Sequence, residues 1–135
     1  MLQFANKEIE DGWWIEGKIH PVIRAWNYYL AWACELLYRK NWIITGHTRT
    51  REKQIEIYGK FQPSPNCDIP CRAIDVRSKY LTYPEIVALE NLFFNHLCPK
   101  ELDQTAFKYH DVGQGKHIHT HVPLAYIELL GKQRR

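Results

Sequence analysis

No apolar run in this 135-residue chain is long enough for a membrane-spanning helix. The chain also lacks internal repeats and low-complexity tracts. Neither charge dominates: 18 Lys and Arg against 15 Asp and Glu leave +3, too little to argue for nucleic acid. Cysteine is scarce, with four residues at 34, 67, 71 and 98 that form no CxxC pair. The first twelve residues are polar and acidic and do not follow the basic-then-apolar pattern of a signal peptide. Synthesis in a cytosol is therefore expected, whatever the final location, and a chain this size without a secretion signal is not expected to rest on disulfides.

What is present suits one soluble domain over 1–135, with a core of real size. Hydrophobic residues make up 45% of the chain and charged residues 24%, ordinary values for a globular protein. A monomer is expected. Residues 1–17 read as an amphipathic lead-in in which Trp13 and Trp14 cover part of the core. From Ile19 to about Arg39, the residues Ile19, Val22, Ile23, Trp26, Tyr29, Leu30, Ala33 and Leu37 fall at helical spacing, with Pro21 in the first turn. Trp42–Thr45 reads as a short strand. Thr50 is placed to cap a helix over Arg51–Tyr58 that Gly59 ends. Residues 60–70, with three prolines, form a loop.

Thr82-Tyr-Pro-Glu85 fits a capping box, opening a helix with Ile86, Leu89, Phe93 and Leu97 on one face. Thr105–His110 and residues 117–122 read as a hairpin around a Gly-rich turn at 111–116, and Leu124–Leu130 as a short helix. The basic end, Lys132 to Arg135, reads as a solvated tail. The expected fold class is α+β: a small antiparallel sheet with packed helices, residues 1–41 supplying the lead-in and core helix and 42–123 the motifs.

Two extended runs carry the chemistry. In Gly115-Lys-His-Ile-His-Thr-His-Val-Pro123, three histidines at 117, 119 and 121 alternate with β-branched Ile118, Thr120 and Val122. Strand geometry sends all three imidazoles to one face. Such a row is either a solvated edge or a set of nitrogen donors. In Cys71-Arg-Ala-Ile-Asp-Val-Arg77 the apolar neighbours of Asp75 imply burial, and a buried carboxylate needs a partner. One strand offering imidazole and one offering carboxylate would suit a divalent metal.

Together with Trp42-Ile-Ile-Thr-Gly-His-Thr-Arg-Thr-Arg-Glu-Lys-Gln-Ile-Glu-Ile-Tyr58, these runs resemble the D-alanyl-D-alanine metallopeptidase group, which includes phage endolysins, bacterial carboxypeptidases and the hedgehog signalling domain. The likeness spans residues 42 to 123. It implies a zinc-dependent peptidase acting on peptidoglycan peptides. Asp75 matches the ligand aspartate and His119 the ligand histidine of the closing His-x-His strand, unless the pair is His119/His121, which would make His121 the ligand. His117 matches the histidine that assists at the metal-bound water and is the expected base, ahead of Asp111, which more simply caps the turn. Arg49 matches the arginine on the substrate carbonyl or its oxyanion, and Gln54 and Tyr58 match further positions on the substrate side.

One departure stands out. Seven residues before Asp75, where the family has its first zinc histidine, this chain has Asp68, and Cys71 stands at a family glycine. Three outcomes are open: Asp68 binds zinc through oxygen, Cys67 does so through sulfur, or the site is broken. Alternatives to the peptidase are a non-catalytic module of the same fold and a metal-dependent hydrolase of another bond, such as a phosphoester. Structural roles are expected for His20 and His96, a turn position ahead of a place on the cleft wall near Arg49 for His47, a surface role for Arg51 and Glu52, and core packing for Cys34 and Trp26. His110 is as easily exposed as functional.

Overall fold

The structure, a computed structural model, describes residues 1–111 and 115–133. The middle of the Gly-rich turn and the last two residues of the basic tail thus lie outside the described residues. The elements in chain order are β1 (Leu2–Phe4), α1 (Lys7–Trp13), α2 (Pro21–Tyr38), β2 (Trp42–Gly46), α3 (Arg51–Tyr58), a 3₁₀ turn (Pro65–Cys67), β3 (Ala73–Arg77), α4 (Tyr83–His96), β4 (Phe107–Asp111), β5 (Lys116–His121) and α5 (Leu124–Gln133). No helix among the described residues is long and apolar enough to cross a membrane.

The fold class is α+β as expected, but the sheet is mixed, not antiparallel. Its order is β1-β2-β3-β5-β4, and β1 runs parallel to β2. Three residues give too short an alternation to be legible as a strand, and the parallel pairing follows from the long α1–α2 crossover between β1 and β2. The other three ladders are antiparallel. β3 and β5 lie side by side in the interior of the sheet, where both edges of each are paired.

Local signals set several boundaries. Thr50 accepts from Lys53 N and opens α3, and Gly59, in the left-handed region at φ 78°, closes it. Thr82 and Glu85 form a reciprocal capping box at the start of α4. His20 caps α2 by accepting from Val22 N, ahead of Pro21 in the first turn.

Helices α2 and α4 pack on one face of the sheet. Ile74 and Val76 of β3, Ile118 of β5 and Phe107 of β4 meet Ile23, Trp26, Leu30, Leu89 and Phe93 there, all 5% exposed or less. Burying each aliphatic side chain of this kind contributes roughly 1.5–3 kcal/mol. One polar trio sits within: Asn27 Nδ2 donates to Thr120 Oγ1 at 3.1 Å and Trp42 Nε1 donates to Asn27 Oδ1 at 2.9 Å. Two expectations fail on the helical side. Leu37 is exposed with Tyr28, Trp32 and Leu36 on the outer side of α2, and Trp14 is exposed although Trp13 is fully buried.

Candidate active site on the histidine face of the sheet

The opposite face of β3 and β5 carries Asp75, His117, His119 and His121. Cross-strand register sets Asp75 directly opposite His119, and Arg77 opposite His117. On the other side of β5, His110 stands opposite His117 and Lys108 opposite His119. The two β-like runs of the sequence therefore meet in one place, and the side chains touch: His119 Nδ1 lies 3.1 Å from Asp75 Oδ1.

From that contact a line of hydrogen bonds runs in both directions. Asp75 Oδ2 accepts from Arg49 Nη2 at 3.2 Å, and Arg49 Nη1 donates to Gln54 Oε1 at 3.0 Å. Gln54, fully buried, donates its amide to the Gln62 carbonyl. Both ends of Gln54 are thus used to hold the guanidinium and the loop after α3. On the other side, His119 Nε2 meets His121 Nδ1 at 2.9 Å, and His121 Nε2 meets Asp103 Oδ2 at 2.8 Å.

The electrostatics follow from burial and these partners. Burial pushes Asp75 upward, but the hydrogen bond from His119 and the charges of His119, His117 and Arg49 outweigh it and hold the carboxyl below its ordinary value. Asp103 is lowered in the same way: burial acts upward and is outweighed by bonds from Thr105 and His121. Burial drives His121 down to about 4 against the pull of Asp103. His110 also falls to about 4, through burial first and then the neighbouring charges of His117 and Lys108. Its Nε2 is buried and has no hydrogen-bond partner among the described residues.

These groups line a cavity of about 390 Å³ that also takes in Tyr58, Lys108 and the Pro63–Asn66 segment. A second cavity of about 390 Å³ adjoins it through Arg49, Asp75 and His117. Arg77, Lys53 and Lys116 line that second space, where Asp75 is the only carboxylate among the described residues.

Asp68 is elsewhere. Its Oδ2 accepts from Arg72 Nε at 2.9 Å and Nη2 at 2.7 Å, its side chain is half exposed, and it lines neither cavity. The arginine one residue before Ala73 pairs with the carboxylate four residues back, a partner supplied by the local chain. Cys67 ends the 3₁₀ turn and is also absent from both cavity walls. Cys71 is buried with its thiol pushed up to about 11 by burial, and all four cysteines are free. Asp111 Oδ1 accepts from Gly115 N at 3.1 Å, closing the hairpin turn. His47 is tied to the Ile9 carbonyl at 3.0 Å, and His96 packs near Tyr29.

Asp103 and His110 are the side chains that sequence reasoning left unassigned. A hint of Asp103 lay in Asp103-x-Thr105, where the carboxylate accepts from Thr105 N and Oγ1, but that motif signals a turn and not a site. Nothing in the sequence joins it to His121.

Among the described residues, no group of three or more His, Cys, Asp and Glu side chains stands arranged to hold a metal ion. Two donors do converge. The 3.1 Å between Asp75 Oδ1 and His119 Nδ1 is close to the ~3.3 Å edge of a tetrahedron with bonds of about 2.0 Å, the length zinc takes with nitrogen and oxygen. His117 Nε2 lies 3.7 Å from the same oxygen. Carboxylate and imidazole are zinc donors, so the chemistry fits the ion, with one protein ligand fewer than catalytic zinc usually has. No family model, curated protein or solved structure matches the chain.

Proposed function

We propose that the chain is a zinc-dependent peptidase acting on peptidoglycan peptides, of the endolysin or D-Ala-D-Ala carboxypeptidase kind. The observation that carries this reading is the pairing of Asp75 with His119 across β3 and β5, with Arg49 on the same carboxylate. Asp75 Oδ1 and His119 Nδ1 would hold the ion. When bound, zinc supplies Lewis-acid polarisation and water acidified towards a pKa of about 7.

The remaining roles belong to the chain. Arg49, clamped by Gln54 and Asp75, keeps further N–H donors for the oxygen of a scissile amide as it gains charge. His117, beside Asp75 on the cavity wall, is placed to carry the proton from the attacking water to the leaving amine. Tyr58 lines the same cavity and offers an aromatic edge to the peptide. Beside the site, Arg77, Lys53 and Lys116 suit a substrate with carboxylates, as cell-wall peptides have.

A second reading is a non-catalytic module that binds a wall peptide without cutting it. It is favoured by the ion pair that holds Asp68 away from the site and by the lack, among the described residues, of a ready three-donor group. Metal analysis followed by zymography on cell walls separates the two. Lysis that is abolished by chelator, restored by zinc and lost in His119→Ala supports the peptidase. Wall binding without lysis at any zinc concentration supports the module.

A further inference from the structure

The two residues at the far end of the hydrogen-bond line have no part in the reading so far, and their order has a consequence for His119. A carboxylate can only accept, so Asp103 Oδ2, 2.8 Å away, requires the proton of His121 to sit on Nε2. A neutral imidazole carries one N–H, which leaves a lone pair on His121 Nδ1. At 2.9 Å that lone pair needs a donor, and the atom facing it is His119 Nε2. With its own proton spent there, a neutral His119 has a lone pair on Nδ1, facing Asp75 Oδ1 from 3.1 Å. Two lone pairs so placed repel unless a cation lies between them: a proton, which makes His119 an imidazolium that donates to Asp75, or a metal ion that takes the proton's place.

We propose that Asp103, acting through His121, is a positioning residue that sets the direction of the hydrogen bonds so that His119 presents its Nδ1 lone pair to an ion shared with Asp75. This rests on the zinc reading above and deepens it. The two oxygens of Asp103 have separate work. Oδ1 accepts from Thr105 N at 2.8 Å and from Thr105 Oγ1 at 2.6 Å, which suffices for the turn, while Oδ2 accepts from His121 Nε2. Outer partners that fix the tautomer of a ligating histidine are worth about 10–100-fold in metal affinity.

Asp103→Asn is the test, because its remaining oxygen can keep the Thr105 turn while its amide donates where the carboxylate accepted. Donation into His121 Nε2 moves that proton to Nδ1 and turns His119 round. His119 then donates from Nδ1 to Asp75, and the hydrogen bond fills the place of the ion. Zinc affinity, read by chelator competition, should fall about 10–100-fold. His121→Gln should bind zinc nearly as wild type does, since its amide oxygen accepts from His119 and its NH₂ donates to Asp103. His121→Phe should lose zinc as Asp103→Asn does. Nitrogen-15 imidazole shifts of the zinc-loaded protein should show His121 protonated on Nε2.

Wild-type affinity in Asp103→Asn, or His121 protonated on Nδ1, would overturn the proposal. If Asp103→Asn does not fold, the two His121 variants decide, and equal affinity in both overturns it. A wild-type protein that binds no zinc would instead remove the zinc reading, and this inference with it.

Discussion

The two faces of β3 and β5 are built from alternate residues of the same two strands and are held by different physics. On the helix side, Ile74, Val76 and Ile118 are stabilised by area removed from water, and any side chain of similar shape would serve. On the cavity side, Asp75, His119 and His121 are nearly as buried, at 8%, 7% and 7% exposure, yet each has named partners at hydrogen-bond distance. Burial alone therefore does not distinguish a core from a site. What distinguishes them is whether the buried atoms require particular partners, because a buried polar group without one costs free energy that shape cannot return.

The largest effect should come from breaking the area-held face. Ile118→Ala removes a fully buried side chain and should cost about 2–5 kcal/mol in urea denaturation, leaving the residual protein competent to bind metal. A loss of metal binding without loss of stability would erase the contrast between the faces.

Next comes acid, which should act on the partner-held face. His110 and His121, with values of about 4 in the fold against 6.5 unfolded, favour their neutral forms in the folded state. The unfolded chain then binds more protons between those values. Stability is full above about pH 6.5 and lost as pH falls through about 4. His121 accounts for roughly 3 kcal/mol at most, and His110, more open to solvent, for less. The lowered carboxyls of Asp75 and Asp103 extend the same slope below their ordinary range. Urea midpoints at pH 7.5, 5.5 and 4.5 in chelator should decline in that order, and a flat series would show that the histidines are not held neutral.

The smallest expected effect sharpens the boundary of the site. Asp68→His restores the residue type that the resemblance leads one to look for, but at a position paired with Arg72 outside both cavities. Zinc affinity should stay within about twofold of wild type, with a fraction of a kcal/mol lost from a half-exposed ion pair. A marked gain in affinity would show that the 3₁₀ turn swings Asp68 into the site.

Much of this site was legible because strand stereochemistry is local. Alternation alone sends His117, His119 and His121 one way and Ile118 and Thr120 the other. The boundaries of α3 and the capping box of α4 were legible for the same reason, since caps are decided within four residues. Less local features were not. β1 needed α1 and α2 to carry the chain back beside it, and Leu37 shared the spacing of a core residue although it lies exposed on the outer side of α2. Asp68 sat at the spacing of a ligand but was captured by Arg72.

Backbone geometry thus determined, from the residues alone, that three imidazoles share a face and that Asp75 lies in a buried strand. Only the tertiary structure decided that β3 lies against β5 in the register that sets Asp75 opposite His119, and that the turn after α4 brings Asp103 to His121. The reason is one of range. Which way a side chain leaves a strand depends on the bonds beside it, whereas which strand or loop it meets depends on how the whole core packs.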